Sequence, residues 1–201
     1  MKRSYVYIDD GYLSKVLKEF GQGKYVKIDY NQFAITLAKS LGLWCGAVYF
    51  YTAPPFQGSP PTADESRRRS GYDHVIYHLR RIPGFNVREG RVQNIDGEFK
   101  QKGVDTLLTM DLMRHPTDNI PAILVICDTD FVPILNEMRS RGIEVILYYY
   151  NDYVRGSKFS MSNYLLTACD RSVLLTKEMV FRSRFLPWEE RHPEAKGGQK
   201  P

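Results

Sequence analysis

AILVICDTDFVPILNEMRSRGIEVILY (residues 122–148) reads as strand, helix, strand. Ala122–Cys127 is a continuous apolar run, as expected of a central strand covered on both faces. The spacing predicts a helix over Phe131–Arg141, with Pro133 in its first turn and Gly142 just past its end. Ile143–Tyr150 is a second strand. Outward from this unit the same alternation continues, which is the signature of an α/β protein. Strands are predicted at Ser4–Ile8, Ala47–Tyr51 and Phe85–Val92, the last followed by an Asp96-Gly97 turn signal. Helices are predicted around Phe33–Leu41, closed by Gly42, and over Asp64–Arg81, Gly103–Met113 and Ser160–Cys169. Ala53–Thr62 is a Pro/Gly/Ser-rich loop, and the polar tail from Pro187 is expected to be disordered. The predicted architecture is three-layer α/β/α around a central, mostly parallel sheet.

The length of 201 residues suits one such domain. With 43% hydrophobic and 25% charged residues, a mainly disordered chain is excluded. Lys and Arg outnumber Asp and Glu by 28 to 23, giving +5, a balance that leans toward a polyanionic partner. The excess is local. Residues 67–102 hold Arg67, Arg68, Arg69, Arg80, Arg81, Arg88, Arg91, Lys100 and Lys102 against Asp73, Glu89, Asp96 and Glu98, so the rest of the chain sums to zero. MKRSYVYIDD reaches two aspartates before any apolar segment, unlike a signal peptide. No apolar stretch approaches the ~20 residues of a membrane span. Cys45, Cys127 and Cys169 have neither disulfide-framework nor zinc spacing, and Cys127 reads as a buried small hydrophobe. A cytoplasmic protein without membrane contact is expected; whether it self-associates is left open.

In such a sheet, ligands gather outside the carboxyl ends of the strands. Asp9 and Asp10 follow the first strand, Asp128 and Asp130 follow Ala122–Cys127, and Asp105 opens the helix starting at Gly103. Carboxylates crowded in one cleft repel unless a cation sits among them. Hard oxygen donors suit Mg²⁺ or Mn²⁺. Each position also has a structural reading. Asp10 reads first as a helix cap or a solvated acid, and Asp130 before Phe131-Val132-Pro133 fits capping as well as it fits a metal. Asp105 also suits the helix dipole. Asp111 lies about 120° round and ~9 Å along the helix from Asp105, so an outer-shell or structural role suits it better. Haloacid-dehalogenase-type phosphatases also place acids at strand ends, so the pattern alone leaves the reaction open.

The stretches YVYIDDGYL (5–13), KGVDTLLTMDLM (102–113) and VICDTDFVPILNEMRSRGIEVILY (125–148), with the weaker SNYLLTACD (162–170), resemble the NYN domain family, the LabA-like branch of the PIN-like nucleases. The resemblance implies a PIN-like domain over residues 1–176, followed by a polar, largely disordered extension over 177–201. It also implies a metal-dependent endoribonuclease whose catalytic and metal-binding acids are Asp9, Asp105, Asp128 and Asp130, with Asp10 and Asp111 as outer-shell acids. Many members read IDGxN at the first cluster; here Asp10 replaces the Gly and Tyr12 the Asn.

The basic segment completes the expectation. Lys102, before the Gly103 helix start, and Arg67, Arg68, Arg69, Arg80, Arg81, Arg88 and Arg91 are the candidate contacts to RNA, with single strands favoured. Tyr72, Tyr77 and Phe85 among them read as core ahead of base-stacking. His74 and His78, four apart with no third soft ligand, read as an exposed helix face. The rival to the enzyme is an RNA-binding or scaffold module that keeps the fold without turnover; a small-molecule phosphatase is a third reading.

Overall fold

The computed structural model describes residues 1–95, 98–154, 159 and 161–184. The Asp96-Gly97 turn, the start of the last predicted helix at Ser160 and the tail from Pro187 lie outside the described residues. Six strands form one sheet in the order β3-β2-β1-β6-β7-β8. They are β1 (Lys2–Asp9), β2 (Leu43–Thr52), β3 (Phe85–Glu89), β6 (Ala122–Val125), β7 (Val145–Tyr149) and β8 (Arg171–Leu174). Every pairing within it is parallel. Two further strands, β4 (Arg91–Ile95) and β5 (Glu98–Lys102), form a separate antiparallel hairpin.

Side chains alternate across the sheet, as the two-residue period of a strand requires. Val6, Ile8, Val48, Phe50, Ile123, Val125, Ile146 and Tyr148 enter one core. There they meet α1 (Asp10–Phe20), α2 (Tyr30–Ser40), α3 (Ala63–Leu79) and α7 (Lys177–Arg182). Tyr7, Tyr51, Leu124, Val145 and Leu147 face the other way, onto α4 (Val104–Met113), α5 (Val132–Ser140) and α6 (Asn163–Thr167). Two cores on either side of one parallel sheet are the three-layer α/β/α arrangement.

Three regions differ from the sequence reading. The strand predicted over Phe85–Val92 breaks at Gly90. A Cβ there would stand 2.5 Å from the Lys102 carbonyl oxygen, so only glycine lets the chain turn into the hairpin so close to its exit. Helix α1, unassigned by the sequence reading, starts on the residue after β1 and buries Leu13, Val16 and Leu17. At the far end, β8 and α7 extend the ordered chain beyond the last predicted helix. The boundary drawn at residue 176 falls just before α7, whose Val180 is fully buried in the first core. Among the described residues, no helix is long and apolar enough to cross a membrane.

Candidate active site

The strand order reverses direction of travel between β1 and β6: the chain builds outward to β2 and β3 from one side and to β7 and β8 from the other. At such a switch point the connections diverge and leave a crevice at the carboxyl ends. Ile8 pairs with Val125 there. Asp9 therefore ends β1 at the mouth of the crevice, and Asp128 leaves β6 beside it. Helix α4 brings Asp105 in its first turn, and a short 3₁₀ turn, Thr129–Phe131, carries Asp130.

The acids converge electrostatically. Asp9 has its carboxyl pushed up to about 6, chiefly by burial and further by the charges of Asp10 and Asp105, against the lowering effect of the Gly11 N–H. Asp105 is likewise raised, first by desolvation and then by Asp128 and Asp130. Asp9 thus feels Asp105, and Asp105 feels Asp128 and Asp130.

Capping is distributed differently from the sequence reading. Asp9, not Asp10, caps α1, accepting the Gly11 N–H on Oδ1 at 2.8 Å. Asp128, not Asp130, caps the 3₁₀ turn, accepting the Asp130 N–H at 2.9 Å. Each cap is a local contact made by one oxygen, Oδ1. Asp10 is neither a cap nor a solvated acid. The hydroxyls of Ser14, Thr52 and Tyr30 donate to it at 3.0, 2.9 and 3.5 Å, and burial raises its pKa. It ties α1 to β2 and α2. Cys127, expected inside the core, is exposed. Its Sγ nonetheless sits in crowded surroundings that, with the charge of Asp9, hold the thiol up to about 11, so it is protonated at neutral pH.

Asp111 is engaged elsewhere. Arg88 donates to both its oxygens, Nε to Oδ2 and Nη2 to Oδ1, each at 2.7 Å, and the Tyr51 hydroxyl donates to Oδ2 at 3.0 Å. The bidentate pair bolts α4 to β2 and β3, with Asp111 almost fully buried.

That pair also removes Arg88 from the free cations, and other arginines of the basic segment are similarly engaged. Arg67 pairs with Asp64, Arg69 with Asp73, and Arg80 with Glu89. Arg81 donates to the Tyr77 hydroxyl and lies over its ring. Arg68, Arg91 and Lys102 are exposed, and Arg91 and Lys102 face each other across the base of the hairpin. Phe85 is buried and Tyr72 half-buried with its hydroxyl on Glu89, while Tyr77 is exposed. His74 and His78 stack edge-to-face on the outer surface of α3.

Tyr12, in the place of the family's Asn, is buried in the first core, and its hydroxyl accepts the Tyr150 N–H at 2.7 Å. It braces α1 against the end of β7.

The sequence reading missed the hairpin's contribution. Gln101 Oε1 and Asp9 Oδ1 lie 3.4 and 3.1 Å from the point where a Gly11 Cβ would stand, so β5 reaches over the first acid. Next to it Phe99 packs on Phe56 of the proline-rich loop, ring centroids 5.0 Å apart. The Asp96-Gly97 signal marked a turn here, but the short, exposed strands on either side carry too little apolar content for periodicity to pair them.

Among the described residues, no three His, Cys, Asp or Glu side chains stand close enough together to hold a metal ion. Mg²⁺ commonly takes one or two protein carboxylates and completes its shell with water and substrate phosphate. The donor chemistry of Asp9, Asp105, Asp128 and Asp130 fits that mode: hard oxygens, mutual repulsion, and one face of the cleft open to solvent.

The sequence model of the NYN domain matches residues 3–176. Among solved structures, the chain is similar to VPA0982 of Vibrio parahaemolyticus, a protein of unknown function. The TM-score is 0.56 at 17% identity, over 87% of this chain and 93% of that one. That likeness concerns the fold. No curated protein matches.

Proposed function

The chain belongs to the NYN domain family, whose members are nuclease-like hydrolases, and from that premise we propose that it is a divalent-metal-dependent endoribonuclease. The observation that supports the reading is that Asp9 ends β1 at the switch point, feels the charge of Asp105, and Asp105 in turn feels those of Asp128 and Asp130. Carboxylates that face one crevice from separate elements raise each other's cost of ionisation, a cost that a bound cation would recover.

Asp9, Asp105, Asp128 and Asp130 would hold Mg²⁺ or Mn²⁺, which when bound supplies an acidified water and offsets the charge that builds on a phosphodiester. Asp9 and Asp128 are fixed by their caps, so their second oxygens are aimed by the backbone. Asp105 is placed by α4, and α4 by the Arg88–Asp111 pair. Arg68, Arg91 and Lys102 are the cations left to meet a phosphate backbone. RNA is the substrate class, and the cytoplasm the compartment that the thiol content suits.

One observation favours a second reading, an RNA-binding or scaffold module without turnover. Tyr12 spends its hydroxyl on the Tyr150 N–H, and so does not supply an amide at the place where many family members carry Asn. Incubation with single-stranded RNA and Mn²⁺, with and without chelator, beside Asp128→Asn, separates the two. Asn keeps Oδ1 and hence the cap, so loss of cleavage in that variant reports on the lost charge. Metal-independent behaviour, or tight binding with no cleavage in either protein, would sink the enzyme reading. Cleavage confined to phosphomonoesters would point to a phosphatase.

A further inference from the structure

We propose that Phe99 and Phe56 form a stacking platform that receives an unpaired base of single-stranded RNA at the mouth of the acidic cleft. The inference deepens the nuclease reading and rests on it. Phe99 is 60% exposed although it already packs against Phe56. The hairpin is otherwise mostly polar and charged, GluPheLysGlnLys on one strand and ArgValGlnAsnIle on the other, so the phenyl ring is the aromatic face it offers to a stacking partner.

Its position says which partner. Phe56 follows β2 and Phe99 belongs to the hairpin that follows β3, so both lie beyond the carboxyl ends of neighbouring strands, the side on which Asp9 ends β1. Phe99 and Gln101 share one face of β5 by strand alternation, and Gln101 Oε1 lies over Gly11, two residues after Asp9. The ring is therefore next to the acids. The other face of β5 carries Lys100 and Lys102, and Arg91 stands opposite Lys102. Lys100 is paired with Glu98, which leaves Arg91 and Lys102 at the hairpin base, three residues from Asp105. Aromatic ring and cation on one short element are the two requirements of a single-strand binder: a π face for the base and positive charge for the backbone.

The platform is also held in place. Phe56 sits in a segment of four prolines between residues 54 and 61, anchored at its end by the Thr62–Glu65 capping box. Gly90 packs against the exit of the hairpin. A duplex would not offer a base to this pair, because its bases are already stacked and paired.

The test uses the full chain carrying Asp128→Asn, so that bound RNA is not consumed, and a single-stranded RNA bearing one 2-aminopurine and a terminal dye. Phe99→Ala is expected to weaken binding at least fivefold, since losing one aromatic stacking partner costs about 1 kcal/mol or more per base. The 2-aminopurine emission, quenched on binding to the parent, should stay bright in Phe99→Ala. Phe99→Trp should restore both signals, which a ring that merely pins the hairpin to Phe56 would not quench at all. Unchanged affinity and unchanged emission in Phe99→Ala and Phe56→Ala would overturn the platform and leave the nuclease reading standing. If the unsubstituted chain with Mn²⁺ neither binds nor cleaves the same single-stranded RNA, both readings are overturned.

Discussion

Arg88→Ala should destabilise this protein more than Asp111→Asn, because the two partners differ in burial. The Asp111 side chain is 7% exposed and that of Arg88 34%. Deleting Arg88 removes two charge-assisted hydrogen bonds and strands a carboxylate that water cannot reach, with only the Tyr51 hydroxyl left to it. Breaking a buried pair from that side costs about 3–5 kcal/mol. Converting Asp111 to Asn keeps an acceptor oxygen, and the guanidinium can turn toward solvent, so the loss is about 1.5–3 kcal/mol, that of hydrogen bonds to a charged group. Replacing both, as Arg88→Met with Asp111→Leu, relieves the desolvation of both charges and should come within about 1 kcal/mol of the parent, the remainder being the orphaned Tyr51 hydroxyl. Urea unfolding followed by circular dichroism reads all three, at a common m-value. For a domain of this size, Arg88→Ala corresponds to a fall in Tm of roughly 6–20 °C. A cost below about 1 kcal/mol for Arg88→Ala, or a larger cost for Asp111→Asn, would refute the assignment of the pair as the bolt between α4 and the sheet.

Three further outcomes follow from the site. Asp9 titrates near 6 in the folded, metal-free chain and near 4 when unfolded. The folded state therefore binds the extra proton, and stability present below about pH 4 should fall as pH rises through 6; Asp9→Asn should flatten that slope in a pH series of urea melts, and an unchanged slope would refute the shift. Mn²⁺ at a hundred times its Kd should add about 2.7 kcal/mol, a rise in Tm of roughly 5–11 °C that shrinks in Asp105→Asn; a calorimetric scan in which parent and variant respond alike would remove Asp105 from the ligands. Tyr12→Phe should cost about 1–3 kcal/mol by leaving the Tyr150 N–H without its acceptor, and hydrogen exchange at that amide should accelerate; an unaltered exchange rate would show the contact to be dispensable.

The layers of this fold were legible because strands buried on both faces write themselves as apolar runs. Ala122–Cys127 and Val145–Tyr150 could hardly be anything else, and the Pro133 and Gly142 boundaries of α5 follow from backbone chemistry. Helix α1 escaped because it begins on the residue after β1, with no loop to separate the patterns, although Leu13, Val16, Leu17 and Phe20 keep helical spacing. The hairpin escaped because neither of its strands buries a face. The positions of Asp9 and Asp128 after their strands were legible from the strands themselves. Their individual roles were not, since whether Asp9 or Asp10 caps a helix depends on one peptide's orientation, and whether Asp111 meets a metal or an arginine depends on which strand lies beneath α4.

The same limit governs charge. By composition, residues 67–102 are the polycationic arm of the chain, yet in three dimensions Arg67, Arg69, Arg80 and Arg88 each meet a carboxylate. Two of these pairs lie within α3 and two join helix to strand, and together they leave little field to spend on a ligand. The acids of the cleft keep the opposite character: Asp9 and Asp105 hold their protons more tightly, chiefly through burial and further through the charges of neighbouring acids. On the reading proposed above, such a cleft would attract a cation first, and only with it in place would it turn attractive to phosphate, with Arg68, Arg91 and Lys102 at its margin. Binding of RNA should therefore depend on the divalent ion more steeply than on the arginines, and Asp128→Asn should loosen the dependence of RNA affinity on Mn²⁺ where Arg67→Ala leaves it intact. Equal dependence in the two variants would return the basic segment to the centre of recognition.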